Sequence, residues 1–315
     1  ILIGLTLGAH IYQAFAYKKF RLCWVVIMGS AWEFTSFALR AAGARNQQSM
    51  ALAFSSQILV LLAPLWLNAF AYMVLGRMVH YFLPEQKIWG FRARKMAVWF
   101  VCADILSFLS QLAGGSLIQN GDDILMTGIH IYMGGIGLQE LFILIFTAFA
   151  LRFRSRMLSI RDSRRSELCS EGQPPMVGLG NEHPSTNWAF LLYALLGTLA
   201  LITTRIIYRL VEFSAGIDPK TNPLPYNEWY FYVFDATPMF LALLLMNLVH
   251  PGRILVGPNS EFPKGKSRKE KREAKKARKE VAKAEKAQKR AGRLAVKAGN
   301  GQVYPEYVRM NDVPV

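Results

Sequence analysis

The chain has 315 residues, 52% of them hydrophobic, and a formal net charge of +16. Residues 264–297 hold 16 Lys or Arg and 4 acids, so +12 of that charge sits in one segment and about +4 is left for the rest. This segregation disfavours a nucleic-acid partner, a secreted disulfide scaffold and an ordinary cytosolic enzyme, and three cysteines without paired spacing offer neither a zinc site nor a disulfide framework.

Seven apolar stretches follow one another at roughly 1–16, 22–42, 50–76, 97–118, 125–151, 188–213 and 229–250. Most reach the ~20 residues that a helix needs to cross a bilayer's hydrocarbon core. None alternates with the two-residue period of a strand, and isolated strands leave their backbone unsatisfied in lipid, so all seven are expected to be helices. The expected fold class is therefore all-α, a polytopic membrane protein built as a seven-transmembrane-helix bundle. The first stretch is short and opens on Ile1 rather than Met, which reads as an N-terminal truncation. Two units are expected: a transmembrane domain over 1–256 and a basic tail over 257–315.

Lysine and arginine bias sets the orientation. After span 1 come Lys18, Lys19 and Arg21; after span 3, Arg77, Lys87, Arg92, Arg94 and Lys95. After span 5 come Arg152, Arg154, Arg156, Arg161, Arg164 and Arg165. The opposite loops carry only Arg45 and Lys220, with Asp122 and Asp123 between spans 4 and 5. The expected N-terminus is outside and the C-terminus cytosolic. Segment 152–187, broken by Pro174, Pro175 and Pro184, reads as a flexible cytosolic loop. The tail, rich in Lys, Arg, Glu and Ala with no apolar stripe, reads as a solvated helix or a disordered segment. Placed on the cytosolic side, it is either a topology anchor or a contact for anionic inner-leaflet lipid.

Charges inside spans are costly and mark function. Glu33 lies mid-span 2, with Arg40 toward its outer end. Gln57 and Pro64 lie in span 3, Asp104 and Gln111 in span 4, and Gln139 and Glu140 in span 5. Span 6 ends with Arg205, Tyr208, Arg209 and Glu212; span 7 begins with Glu228, Tyr232 and Asp235, then Pro238. Arg205 is eight residues below the outer end of span 6, and Asp235 seven below the outer end of span 7. At 1.5 Å per residue both lie roughly 10–12 Å deep, so the two opposite charges are expected to meet. Arg209 and Glu212 share a face, as do Glu228 and Asp235. An ion-pair network in the outer half is expected, with Gln57, Gln111 and Arg40 at similar depth.

Two readings of that network stay open. It locks span 6 to span 7 without a ligand, or it borders a polar cavity, open outward or sideways to lipid, for the head group of an amphiphile. Glu33 and Asp104 carry the same choice between a satisfied neutral acid and a group that attracts an amine or exchanges protons. Gly4 with Gly8, and Gly134, Gly135 and Gly137, are expected to serve close helix packing. Trp188, Trp229 and Tyr230 read as interfacial anchors, and His10 and His130 as core or interface residues. No third intramembrane His joins these two at one depth, which disfavours a membrane metal hydrolase; no metal or cofactor is expected.

The ordered set Gln57…Pro64…Tyr72…Gly76-Arg77, Asp104…Gln111…Gly114-Gly115, Gly137-Leu138-Gln139, Arg205…Arg209…Glu212…Gly216 and Glu228…Tyr232…Asp235…Pro238-Met239…His250-Pro251-Gly252 resembles the fungal lipid-translocating exporter family. This is the RTA-like group, named for resistance to aminocholesterol. The resemblance covers about 1–256; span 2 keeps Glu33 and Arg40 but has Ala31 where the family has glycine. It implies a seven-helix, non-enzymatic plasma-membrane protein that exports or translocates sphingoid long-chain bases or toxic amphiphiles, with membrane lipids and an amphipathic substrate as partners. One relative is associated with porphyrin transport. The acidic intramembrane residues suit an amine head group. The sequence has no P-loop, so an ion gradient, passive equilibration or a partner must drive any transport. The alternative is a seven-helix, receptor-like sensor without transport.

Overall fold

The computed structural model describes residues 1–46, 48–119, 124–170, 187–214, 216, 222–255 and 268–297. In chain order these form α1 (Leu2–Ala16), α2 (Phe20–Arg45), α3 (Met50–Phe82), α4 (Ala93–Gln119), α5 (Leu125–Ser170), α6 (Asn187–Ser214), α7 (Glu228–Phe231), α8 (Thr237–Leu248), α9 (Pro251–Ile254) and α10 (Arg268–Lys297). A π-helical turn, Tyr232–Ala236, joins α7 to α8, so that together they form one interrupted rod. A two-residue hairpin, β1 (Lys87–Ile88) with β2 (Phe91–Arg92), turns the chain between α3 and α4. Its bend uses positive φ at Gln86, Trp89 and Gly90.

Six helices are long and apolar enough to cross a membrane, and α1 is a shorter apolar helix. The chain is an all-α, polytopic integral membrane protein. Its exterior agrees: Trp99 and Leu106 on α4, Leu144 on α5, and Phe190 and Ile207 on α6 are large, apolar and exposed. In water that surface would be unfavourable; against acyl chains it matches the solvent.

Neighbours in sequence are neighbours in space. α2 packs on α1 and α3, α4 on α3 and α5, and α6 on α5 and α8; α1 meets α8 and α3 meets α6, which closes the ring. Tyr72, Phe100 and Phe146 fill the space between α3, α4 and α5, with Tyr72 and Phe146 centroids 4.4 Å apart. α4 and α5 approach very closely. A Cβ on Gly114 would lie 2.8 Å from the Gly128 carbonyl and collide with the Tyr132 backbone, and one on Gly135 would meet the Ser107 carbonyl at 2.9 Å. Not every small residue works this way: Gly8, Gly134 and Gly137 face open space, so packing accounts for Gly135 and Gly4 but not for them.

The expected loop over 152–187 needs correction in its first half. Residues 152–170 are not a loop, because α5 continues as helix through the arginine-rich stretch to Ser170; Arg and Ser there carry no helix breaker until the Pro pair, and 171–186 lie outside the described residues. Asp122, Asp123 and Lys220 also lie outside them. Pro64 does not interrupt α3, whereas Pro238 follows a real irregularity. Pro238 has no N–H to offer Phe234, the ladder widens over Tyr232–Ala236, and the Thr237 hydroxyl donates to the Tyr232 carbonyl at 2.8 Å.

The chain divides into two compact units, Ile1–Phe262 and Pro263–Val315. In the second unit α10 spans 30 residues, about 45 Å at the usual rise. Its described side chains are exposed, including Val281.

Candidate functional site

The ends of α2, α4 and α6 and the starts of α3, α5 and α7 lie at one end of the bundle, since consecutive helices run antiparallel. In that half Arg205 of α6 donates through Nε to Asp235 Oδ1 of the π turn and through Nη2 to the Val60 carbonyl of α3 at 2.9 Å. Arg209, one turn further along α6, pairs with Asp235 Oδ2 and with Glu212 Oε2, the latter at 3.0 Å. Tyr208 donates its hydroxyl to Glu212 at 3.3 Å. One carboxylate thus bridges two guanidiniums from successive turns of a neighbouring helix. All four charged residues are at most 6% exposed, so each charge depends on the others for compensation.

The loop after α6 is tied to this cluster. Gly216 has φ +77° and donates to the Phe213 carbonyl at 3.2 Å, and Asn222 Nδ2 donates to the Glu212 carbonyl at 2.6 Å. These bonds satisfy helix-end carbonyls beside a buried charge.

Glu33 of α2 is 1% exposed and lies within electrostatic reach of Arg205, Arg209 and Asp235. Neither of its carboxylate oxygens has a hydrogen-bond partner. It is the acid of this region that the arginines leave uncapped.

Other sequence-derived candidates fall elsewhere. Glu228 and Asp235 do not share a face: the wider π turn rotates them apart, leaving the Glu228 side chain 67% exposed and Asp235 buried. Glu228 instead meets Arg40 at 3.8 Å, whose guanidinium lies 4.1 Å over the Phe231 ring. Tyr232 points outward, 44% exposed, and stacks on Phe37. Asp104 forms a separate centre nearer the aromatic core, where Oδ2 accepts from Asn68 at 3.0 Å and from the Tyr72 hydroxyl at 2.9 Å. Gln111 donates to Gln139 at 2.8 Å, which joins α4 to α5.

A cavity of about 150 Å³ opens beside the ion pairs, between α3, α4, α5 and α6. Phe54, Ile58, Leu61, Leu112, Ile118 and Phe213 make its apolar walls; Gln57, Gln111, Ser116 and Tyr132 are its polar groups. A shallower depression of about 540 Å³ at the start of α3 shares Phe54 and Gln57 with it. Tyr132 belongs to both cavity and cluster: its ring packs edge-on against Phe213 at 4.7 Å, and it lies within electrostatic reach of Arg205, Arg209, Glu212 and Asp235. The Tyr132 hydroxyl is buried and has no hydrogen-bond partner.

Sequence reasoning passed over Tyr132, Asn68 and a third polar knot. Tyr132 stands seven residues before Gln139, hence on the same face of α5, and Asn68 one turn before Tyr72. Those spacings were the available signals. The third knot lies at the opposite end: His250 Nδ1 accepts from the Gly252 N–H at 3.0 Å, while its ring stacks on Tyr17 and its Nε2 contacts Cys23 Sγ at 3.3 Å. Arg253 donates to the Tyr17 hydroxyl at 2.6 Å. His10 is fully buried on α1, whereas His130 is exposed on α5. Among the described residues no three of His, Cys, Asp and Glu gather as metal ligands.

A family model described as RTA1-like protein matches residues 26–257. The chain is 45% identical over 274 residues to "Probable lipid transporter atnI" of Emericella nidulans, covering 86% of this chain and 68% of that relative. It is 29% identical over 220 residues to "Protoporphyrin uptake protein 1" of Saccharomyces cerevisiae, covering 70% and 65% of the two chains. It is 25% identical over 288 residues to "Sphingoid long-chain base transporter RSB1" of Saccharomyces cerevisiae, covering 84% and 72%. No solved structure matches. The chain belongs to the RTA1-like family.

Proposed function

We propose, from that family membership, that the protein translocates or exports a membrane lipid or related amphiphile of the sphingoid long-chain base or toxic amphiphile class, and that it is not an enzyme. The observation that carries this reading is the pairing of a buried, mutually compensated charge cluster (Arg205, Arg209, Glu212, Asp235) with a cavity that opens beside it between four helices. A bilayer-spanning protein gains nothing in packing from a cavity, so its retention beside charge suits a polar head group. Glu33, buried and uncapped, suits an amine within that class. Names of relatives as lipid and sphingoid base transporters support the same reading.

The topology that goes with it has α1 as a seventh span, the α3 N-terminus and the cavity on the outer side, and the C-terminus in the cytosol. Lysine and arginine bias supports it, and the plasma membrane is the compartment that fits export. The basic tail then faces anionic inner-leaflet lipid.

Reconstituted into liposomes, the protein is expected to accelerate the flip of a labelled sphingoid base over protein-free vesicles, and Asp235→Asn and Arg205→Ala to abolish that acceleration. Melting temperatures of the variants separate lost transport from lost folding. No acceleration by wild-type protein would remove the translocator reading. The receptor-like alternative draws on α5, which runs as one helix from the cavity wall at Tyr132 to Ser170; ligand binding without flux would favour it.

A further inference from the structure

We infer that the cavity between α3, α4, α5 and α6 is a binding site for the uncharged hydroxyl-bearing part of an amphiphile's head group, read by Tyr132 and Gln111, while the ion-pair cluster beside it takes no direct part in that contact. The inference deepens the translocator reading and rests on it only for the transport measurement below.

Three observations carry it. First, none of the residues lining the cavity carries a formal charge; its polar groups are two amides and two hydroxyls. Arg205, Arg209, Glu212 and Asp235 are not among the lining residues and compensate one another, so an ammonium entering the cavity finds no carboxylate in its lining. Second, the Tyr132 hydroxyl is left without a partner although the residue is only 3% exposed, and such a group costs stability until something bonds to it. A phenol both donates and accepts, and an alcohol is its natural complement. Third, the neighbouring groups are already oriented. Gln111 gives an N–H to Gln139 and so has its carbonyl oxygen fixed in place, and Ser116 donates to the Leu112 carbonyl at 2.8 Å and so offers only lone pairs toward a ligand. A head group with one or two hydroxyls satisfies this set; a bare ammonium, which only donates, leaves the phenol proton unpaired. The apolar walls meanwhile accept the first carbons of an alkyl chain.

The test compares two probes with the same chain, the same label at the chain end and the same amine: sphinganine, which has two hydroxyls, and octadecylamine, which has none. In liposomes holding the full chain, wild-type protein should flip sphinganine at least about tenfold faster than octadecylamine, because a site built to bond a hydroxyl rejects an analogue that lacks it. Tyr132→Phe should bring sphinganine down to the octadecylamine rate, and Leu112→Trp, which fills the cavity, should block both. A binding arm runs in detergent: sphinganine should raise the melting temperature of the wild type more than octadecylamine does, and Tyr132→Phe should remove that difference. Equal flip of both probes, or a preference that survives Tyr132→Phe, overturns the inference and leaves the translocator reading standing. If neither probe moves faster than in empty vesicles, the translocator reading fails, and the binding arm alone decides: an unequal thermal shift that depends on Tyr132 upholds the hydroxyl site, and equal shifts remove it.

Discussion

Asp235 serves two guanidiniums at once, and that double duty sets what its loss should do. Removing one member of a buried pair strands the others, at a cost of about 3–5 kcal/mol. Asp235→Ala leaves Arg205 without a carboxylate and Arg209 with Glu212 alone, so it is expected to lower the stability of the detergent-solubilised protein by about that range, read as a large fall in melting temperature. Glu33 is the opposite case. Its oxygens accept no hydrogen bond, so Glu33→Leu removes an uncompensated buried group and should change stability by less than about 1 kcal/mol in either direction. If Glu33 takes part in substrate handling, the same variant should cut flip of a sphingoid base at least tenfold, an outcome that a purely structural glutamate would not produce. Rise per residue alone brought Arg205 and Asp235 to one depth. That Arg209 also reaches Asp235, and that Glu228 does not join them, depended on a widened turn that no spacing reveals.

At the scale of elements, α4 and α5 define one wall of the cavity by how closely they approach. Gly114 touches the backbone of α5, and Gly115, its neighbour, faces open space. Gly114→Val is therefore expected to destabilise by about 1–3 kcal/mol or more and to separate the two helices, with a loss of transport. Gly115→Val should leave the melting temperature within a degree or two of wild type, which makes it a control for stability alone, because Gly115 lines the cavity and its new side chain would enter it. A Gly-Gly dipeptide signals thin packing in the sequence but not which of the two glycines makes the contact, because that depends on the rotation of the helix about its axis. The same holds for the seventh rod. Pro238 announces an irregularity, yet only the fold shows it taking the form of a π turn that aims Asp235 at α6.

For the whole molecule, the proposed topology makes two measurable statements. A single cysteine at Gln48, in a chain whose native cysteines are replaced, should react with a membrane-impermeant maleimide applied outside intact cells; one at Lys276 should react only after permeabilisation. The reverse pattern would invert the bundle and put the cavity on the cytosolic side. The basic tail should increase association with phosphatidylserine-containing vesicles, and that gain should fade as salt rises, since each basic residue near an anionic surface contributes about 1 kcal/mol that screening removes. A tail acting only as a solubilising segment would show no lipid dependence.

Apolar length and period determined, from the sequence by itself, that this is a helical membrane protein, where its six long apolar helices lie and which of them carry charge. Those properties are local: hydrocarbon thickness and backbone satisfaction act on each stretch separately. Family membership was legible too, through ordered polar residues spread over several spans. Tertiary structure alone decided which polar groups have partners. Asp104 turned out to be served by Asn68 and Tyr72, Glu33 to be uncapped, and Tyr132 to link a neutral cavity to a charged cluster. The physical reason is that a side chain's partners come from other helices, so they depend on each helix's rotation and tilt, which packing sets and no single stretch of sequence encodes.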